Sequence, residues 1–311
     1  MNPLPVILDV DTGIDDAWAL VYALRSPALN VIGITTGFGN ADVASTTRNT
    51  LLLTQLLDTP VPVYRGADRP LWRTWSGPVI RYHGHNGLGD AILPPVHHTA
   101  QRQEAVPFIV DAVHQAPGQV TIITLARLTN LARALLFDST MVELIKGVVM
   151  MGGSAFVPGN VTPVAEANVW GDPEAADIVF KSGLDITMVG LDVTMQARLY
   201  REHLARLNPT LSYAQLLQQA TTFYISAYEQ DNPDIVGWCP IHDPLAVAVV
   251  EDPDLVTVER LPVQVETRGQ HTDGMTVVDG RTRHYSNGIQ VALSLNRDRF
   301  LQRLGERVGI S

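Results

Sequence analysis

The sequence predicts an α/β protein built on a doubly wound, mainly parallel open sheet with helices on both faces. Three observations lead there. Short β-branched runs alternate with helix-length amphipathic stretches, the pattern of successive βα units. The runs are apolar throughout rather than alternating in polarity, as strands are when helices cover both faces of the sheet. A chain of 311 residues with 46% apolar content is long enough and apolar enough to bury one large core.

Taken in order, the first run, VILDVD (6–11), ends in a carboxylate-rich turn and a helix beginning near Asp15. VIGITT (31–36) follows, then a helix over 41–57, the run VPVYRG (61–66) and a long stretch, 67–103, that carries Trp, Pro, Gly and four histidines. A helix over 104–115 leads to VTIITL (120–125), and a helix over 129–137, opened by Thr129-Asn130, leads to GVVMMGG (147–153). Residues 154–171 are rich in Gly, Pro and Asn and show no period. The helix over 173–182 opens at Asp172-Pro173, with proline at its first position, and ITMVGLDVT (186–194) closes the alternation. From 198 to 250 the pattern is helical, after which VTVERLPVQVET (256–267) and GMTVVDG (274–280) read as a late hairpin. No repeat, low-complexity tract or linker interrupts the chain, so residues 1–311 are expected to form a single domain. Long irregular stretches such as 67–103 and 154–171 are more often functional than idle.

Charge and cysteine content narrow the function classes. A formal charge of −10 without a compensating Lys/Arg cluster opposes binding of a nucleic-acid polymer, whereas a small neutral ligand or a cation suits it. Cys239 is the one cysteine, so neither an intrachain disulfide nor a thiolate zinc site can form. No apolar run of about 18 residues and no basic, apolar, small-residue leader pattern occurs. The expectation is therefore a cytoplasmic protein with no membrane partner.

The most informative segment is Asp9-Val10-Asp11-Thr12-Gly13-Ile14-Asp15-Asp16-Ala17. Asp9 and Asp11 are two apart and share a side if the strand stays regular that far, while adjacent Asp15 and Asp16 diverge by about 100° on a helix and serve different partners. Carboxylates about 4 Å apart repel by roughly 1–4 kcal/mol at surface-like dielectric. A divalent cation is the natural compensation, and oxygen ligands without Cys or His point to calcium or magnesium, with calcium tolerating the more irregular coordination. Simple capping and first-turn roles are the plainer reading of Asp15-Asp16, though they leave the remaining acids unexplained.

At these residues the sequence resembles the inosine-uridine-preferring nucleoside hydrolases, whose opening signature is Asp-x-Asp-x-Gly-x-Asp-Asp-Ala after the first strand. The resemblance continues, in order, through Gly39-Asn40, His83-Gly84, Gly87-Leu88-Gly89, Leu128-Thr129-Asn130, Met151-Gly152-Gly153, Asn160, Ala165-Glu166-Ala167-Asn168, Asp172-Pro173-Glu174-Ala175-Ala176 and His242-Asp243-Pro244-Leu245-Ala246. It implies a Rossmann-like fold and calcium held by Asp11, Asp16, the Leu125 carbonyl and Asp243. It also implies ribose contacts from Asp15, Asn40, Asn160, Glu166 and Asn168, with Met151 lining the sugar site, and assembly as a homodimer or homotetramer. Two departures stand out: Ala126-Arg127 replaces the Gly-Pro usual before Leu-Thr-Asn, and Thr12 stands where Pro is frequent.

The implied reaction is hydrolysis of a ribonucleoside to ribose and free base. An oxocarbenium-like sugar needs an activated water on one face, negative groups near the developing cation, and help for the departing base. Calcium would position and acidify the water, with Asp11 accepting its proton, and attack opposite the base would invert C1′. His242, next to an implied metal ligand, is the first candidate for protonating the base, and His83 the second. Tyr224 and Tyr228 lie at i,i+4 on one helix face and are candidates for the base pocket. Two competing readings remain. In a haloacid-dehalogenase-type phosphatase the Asp-x-Asp of LDVDTG would supply nucleophile and acid, but Asp15-Asp16, Glu166, Asn168 and Asp243 would lack roles. A non-catalytic nucleoside-binding relative would not need Asp11, Asp16, Asp243 and His242 together.

Overall fold

The structure is a computed structural model that describes residues 2–281 and 288–311. Its strands, in chain order, are β1 (Leu4–Val10), β2 (Leu29–Thr36), β3 (Val63–Arg65), β4 (Thr121–Thr124), β5 (Gly147–Met151) and β6 (Ile186–Val189). They continue with β7 (Arg198–Tyr200), β8 (Trp238–Pro240), β9 (Val256–Leu261), β10 (Val263–Val265), β11 (Thr276–Val278) and β12 (Ile289–Leu295). The principal sheet has eight strands in the order β3-β2-β1-β4-β5-β6-β12-β9. Neighbours pair parallel from β3 to β12, and only the edge strand β9 runs antiparallel, against β12.

The apolar runs become strands because both faces are covered. On one face the helices Ile14–Arg25 and His242–Glu251 pack Trp18, Leu20, Leu245 and Val247 against the sheet, with Phe300 and Leu304 from the helix Arg297–Val308. On the other, the helices Ala105–Gln115, Thr129–Phe137 and Pro173–Lys181 bury Ile109, Leu131 and Val179 against Ile122 and Val148. Each such aliphatic side chain contributes about 1.5–3 kcal/mol by leaving water.

The expected helices at 41–57, 104–115, 129–137 and 173–182 appear as Val43–Leu56, Ala105–Gln115, Thr129–Phe137 and Pro173–Lys181. Three expectations need correction. ITMVGLDVT is a strand only to Val189 and then turns at Gly190 into the short helix Leu191–Thr194. The helical stretch 198–250 contains an antiparallel pair, β7 with β8, in which Leu199 faces Cys239. The late hairpin is split: β10 pairs with β11, whereas β9 joins β12 at the edge of the main sheet. A short-range sequence pattern cannot distinguish these pairings, because β9's partner lies some thirty residues on. Outside the sequence expectations lie β12 and the helix Arg297–Val308, together with the short helices Ile80–His83, Met141–Leu144 and Ala167–Gly171.

Candidate active site

The sheet order reverses between β1 and β4, so the chain leaves these neighbouring strands in opposite directions and a crevice opens beyond their carboxyl ends, where ligands bind in such sheets. A cavity of about 750 Å³ lies there. Asn40 follows β2, Leu125 follows β4, and Met151 ends β5. His242 and Asp243 open the helix after β8. The two irregular stretches supply further walls, with His83 from one and Asn160, Glu166 and Asn168 from the other, and the helix Ala214–Asp231 adds Tyr224 and Tyr228. Every residue expected in the site lines this cavity except Asp11 and Asp16, which are fully buried against Asn40.

Strand β1 stops at Val10, so Asp11 lies beyond the regular strand, and the two acids take different partners. Asp9 instead accepts hydrogen bonds from Thr35 Oγ1 at 2.6 Å and Asn130 Nδ2 at 2.7 Å, tying β1 to its neighbours as a structural anchor. Asp16 folds back on the turn, accepting from the Asp11 N–H at 3.2 Å and the Gly13 N–H at 2.9 Å. Gly13 itself leaves the space for this crowding: a Cβ there would come within 2.7 Å of Asn40 Nδ2 and closer still to the His83 ring. Carboxylate oxygens of Asp15, Asp16 and Asp243 lie within 4.8 Å of one another. Burial and then mutual repulsion push the Asp16 and Asp243 carboxyls well above the ordinary range, and burial is also the main cause that raises Asp15. A buried all-oxygen group under such repulsion suits a hard divalent cation.

Asp11 has different company. Its Oδ2 accepts from the Asn40 N–H at 2.9 Å and from Arg127 Nη1, and its Oδ1 from Asn40 Nδ2 at 3.1 Å. Burial raises its carboxyl and the Arg127 charge works against that rise.

The sugar-facing wall is held from within. Glu166 accepts from the N–H groups of Gly153 at 2.9 Å, Asn168 at 2.9 Å and Val169 at 3.1 Å, which fixes the turn that presents Asn168. Asn168 Nδ2 donates to the carbonyls of Leu125 at 2.8 Å and Met151 at 3.1 Å, joining the ends of β4 and β5. Asn160 is exposed at the mouth, where its Oδ1 accepts from the Ala167 N–H at 3.0 Å.

Opposite lies an aromatic wall. Tyr224 and Tyr228 meet edge to face with ring centroids 4.9 Å apart, and Tyr82 stands 5.0 Å from Tyr228. The Tyr228 hydroxyl is 3.1 Å from His242 Nε2, and His242 Nδ1 is 2.8 Å from Thr194 Oγ1. His83 Nδ1 accepts from the Ile14 N–H at 3.1 Å, so a neutral His83 carries its proton on Nε2. Burial lowers His83 to about 3 and His242 to about 4, leaving both imidazoles neutral near pH 7.

The model of the family described as inosine-uridine preferring nucleoside hydrolase matches residues 6–302. The chain belongs to that family. It is 42% identical over 270 residues to uridine nucleosidase 1 of Arabidopsis thaliana, covering 85% of this chain and 79% of that one. It is 38% identical to the inosine-uridine preferring nucleoside hydrolase of Leishmania major, covering 98% and 99%. Among solved structures, a purine-preferring ribonucleoside hydrolase from Gardnerella vaginalis superposes with a TM-score of 0.92 at 38% identity, covering 98% of both chains. This chain is accordingly a nucleoside hydrolase, an enzyme that splits a ribonucleoside into base and ribose.

Against the members' motifs, the geometry adds residues that the sequence did not single out for the site. Arg127 is the foremost; its signal was a charged residue in an otherwise small and apolar strand-to-helix turn. Tyr82 and Thr194 are further additions, visible only once distant segments meet. Of the tryptophans, Trp75 and Trp170 line the cavity, while Trp72 is 69% exposed on the surface.

Proposed function

We propose that this nucleoside hydrolase is calcium-dependent and that its water attacks C1′ from the face opposite the base, inverting that carbon. The observation that carries the reading is the approach of the Asp15, Asp16 and Asp243 carboxylates to within 4.8 Å. Asp16, Asp243, Asp11 and the Leu125 carbonyl would hold the ion. Calcium, when bound, supplies the positive charge that positions a water and lowers its pKa.

Asp11 takes the water's proton, and its burial favours that task by making the carboxyl more basic. Asp15, Asn40, Glu166 and Asn168 grip the ribose hydroxyls, and Asn160 and Met151 complete the sugar site. Negative charge from these carboxylates stabilises the sugar as it turns cationic. Tyr224 and Tyr228 flank the base. His242 relays a proton to the departing base through the Tyr228 hydroxyl, taking one up at Nδ1 from the Thr194 side as Nε2 gives one up, and His83 is the second donor. The net reaction adds one water: hydroxide goes to C1′, and its proton, by way of Asp11 and solvent, replaces the one given to the base. We further read the chain as a single domain that assembles as a homodimer or homotetramer. Among the described residues no helix is long and apolar enough to cross a membrane.

The relatives' names cover uridine, inosine-uridine and purine ribonucleosides, so the test uses both base classes. A reducing-sugar assay on inosine, adenosine, uridine and cytidine should show ribose release, with 2′-deoxy counterparts slower by about 10²-fold or more because the site's buried polar groups are left unpaired. Equal rates for ribo- and deoxynucleosides would overturn the assigned sugar grip. Tight binding without free base would favour the non-catalytic reading, and phosphate release from phosphomonoesters the phosphatase reading.

A further inference from the structure

Arg127 lies at the floor of the site and is 6% exposed. Its Nη1 donates to Asp11 Oδ2 and sits 3.5 Å from Asn168 Oδ1, while its Nε has no partner. The side chain reaches this position through a cradle of two glycines. A Cβ at Gly171 would come within 2.6 Å of Arg127 Nε, and one at Gly39 would overlap the guanidinium and Asp11 Oδ2 together. A guanidinium is permanently charged and cannot be relieved by losing a proton. Any cation that uses Asp11 either displaces Arg127 or shares one carboxylate with it at close range, in a buried site where like charges are poorly screened.

We propose that Arg127 is a built-in counter-ion of Asp11 that competes with the divalent cation for this carboxylate and so weakens the site's metal affinity. The inference rests on the calcium reading above. Arg127 neutralises the acid that the other carboxylates crowd: it pairs with Asp11 Oδ2, while Asn40 Nδ2 bridges Asp11 Oδ1 and Asp16 Oδ2. The cation then binds less tightly than the four acids alone would dictate, and occupancy follows the calcium concentration more closely.

The test is calcium binding by calorimetry to the chelator-stripped full chain, with no substrate present. Arg127→Met, which removes the charge and keeps the bulk, should bind calcium about tenfold tighter or more, whereas Arg127→Lys should stay within about threefold of wild type because the charge persists. If the methionine variant does not fold, Arg127→Gln tests the same direction. A neutral variant with unchanged affinity would overturn the proposal, and so would weaker binding, which would mean that Arg127 orients Asp11 as a ligand. No calcium binding by wild type or variants would overturn the metal reading itself, and this proposal with it.

Discussion

At the residue scale the proposed chemistry concentrates on Asp11, because the roles proposed for it, cation ligand and base, fall on the carboxylate that Arg127 pairs. Asp11→Asn should leave the fold and much of the ribose binding intact, because an amide can still hydrogen-bond to Asn40. It cannot accept a proton, so kcat should fall by about 10²- to 10⁴-fold while KM changes little. Turnover within a factor of three of wild type would remove Asp11 from the role of base. The same residue shows how far local sequence carries. Four acids in one turn marked the segment as a candidate cation site, and Asp15 and Asp16 do meet Asp243 there, but the division of labour among the four was not legible. Asp9 became an anchor because Thr35 and Asn130 reach it, and Asp11 a paired acid because Arg127 does. Those partners lie 26, 121 and 116 residues away.

At the scale of elements, the helix His242–Glu251 carries a site residue pair at its start and an ionic clasp at its end. Glu251 accepts from Ser26 Oγ at 2.6 Å, from Arg303 Nη1 at 3.2 Å, and from Arg307, which fastens the C-terminal helix Arg297–Val308 to the core. Burial alone would raise the Glu251 carboxyl, but the Arg307 and Ser26 hydrogen bonds and the charges of Arg307 and Arg303 outweigh it and hold it below its ordinary range. A depressed carboxyl stabilises the fold above the unfolded pKa, near 4.3 for Glu, and that contribution disappears as the pH falls through the lower folded value. Glu251→Gln should therefore cost about 1–3 kcal/mol in urea unfolding at pH 7, with the gap to wild type closing below about pH 4. A gap that persists unchanged at pH 3 would show that the charge is not its source. That C-terminal helix was in fact readable, since Phe300, Leu304 and Val308 recur at helical spacing and are all buried. The β9–β12 pairing was not, because neither strand's pattern names its partner.

For the molecule as a whole, the alternation of apolar runs and helices was enough to establish the sheet, because helices on both faces leave each buried strand uniformly apolar. The strand order was beyond that pattern, and it is the reversal between β1 and β4 that opens the crevice lined by Asp15 after β1 and Leu125 after β4. The long irregular stretches form walls of that crevice, adding His83, Asn160, Glu166 and Asn168 to the polar groups that the helix starts Asp15, His242 and Asp243 supply. The proposed chemistry in this crevice depends on a bound divalent cation. Its most direct test is the rate of ribose release from inosine and uridine by protein stripped with chelator, followed by calcium add-back. Turnover should fall by about 10²-fold or more on stripping and return with calcium. Full turnover in excess chelator, by protein shown to contain no metal, would contradict it.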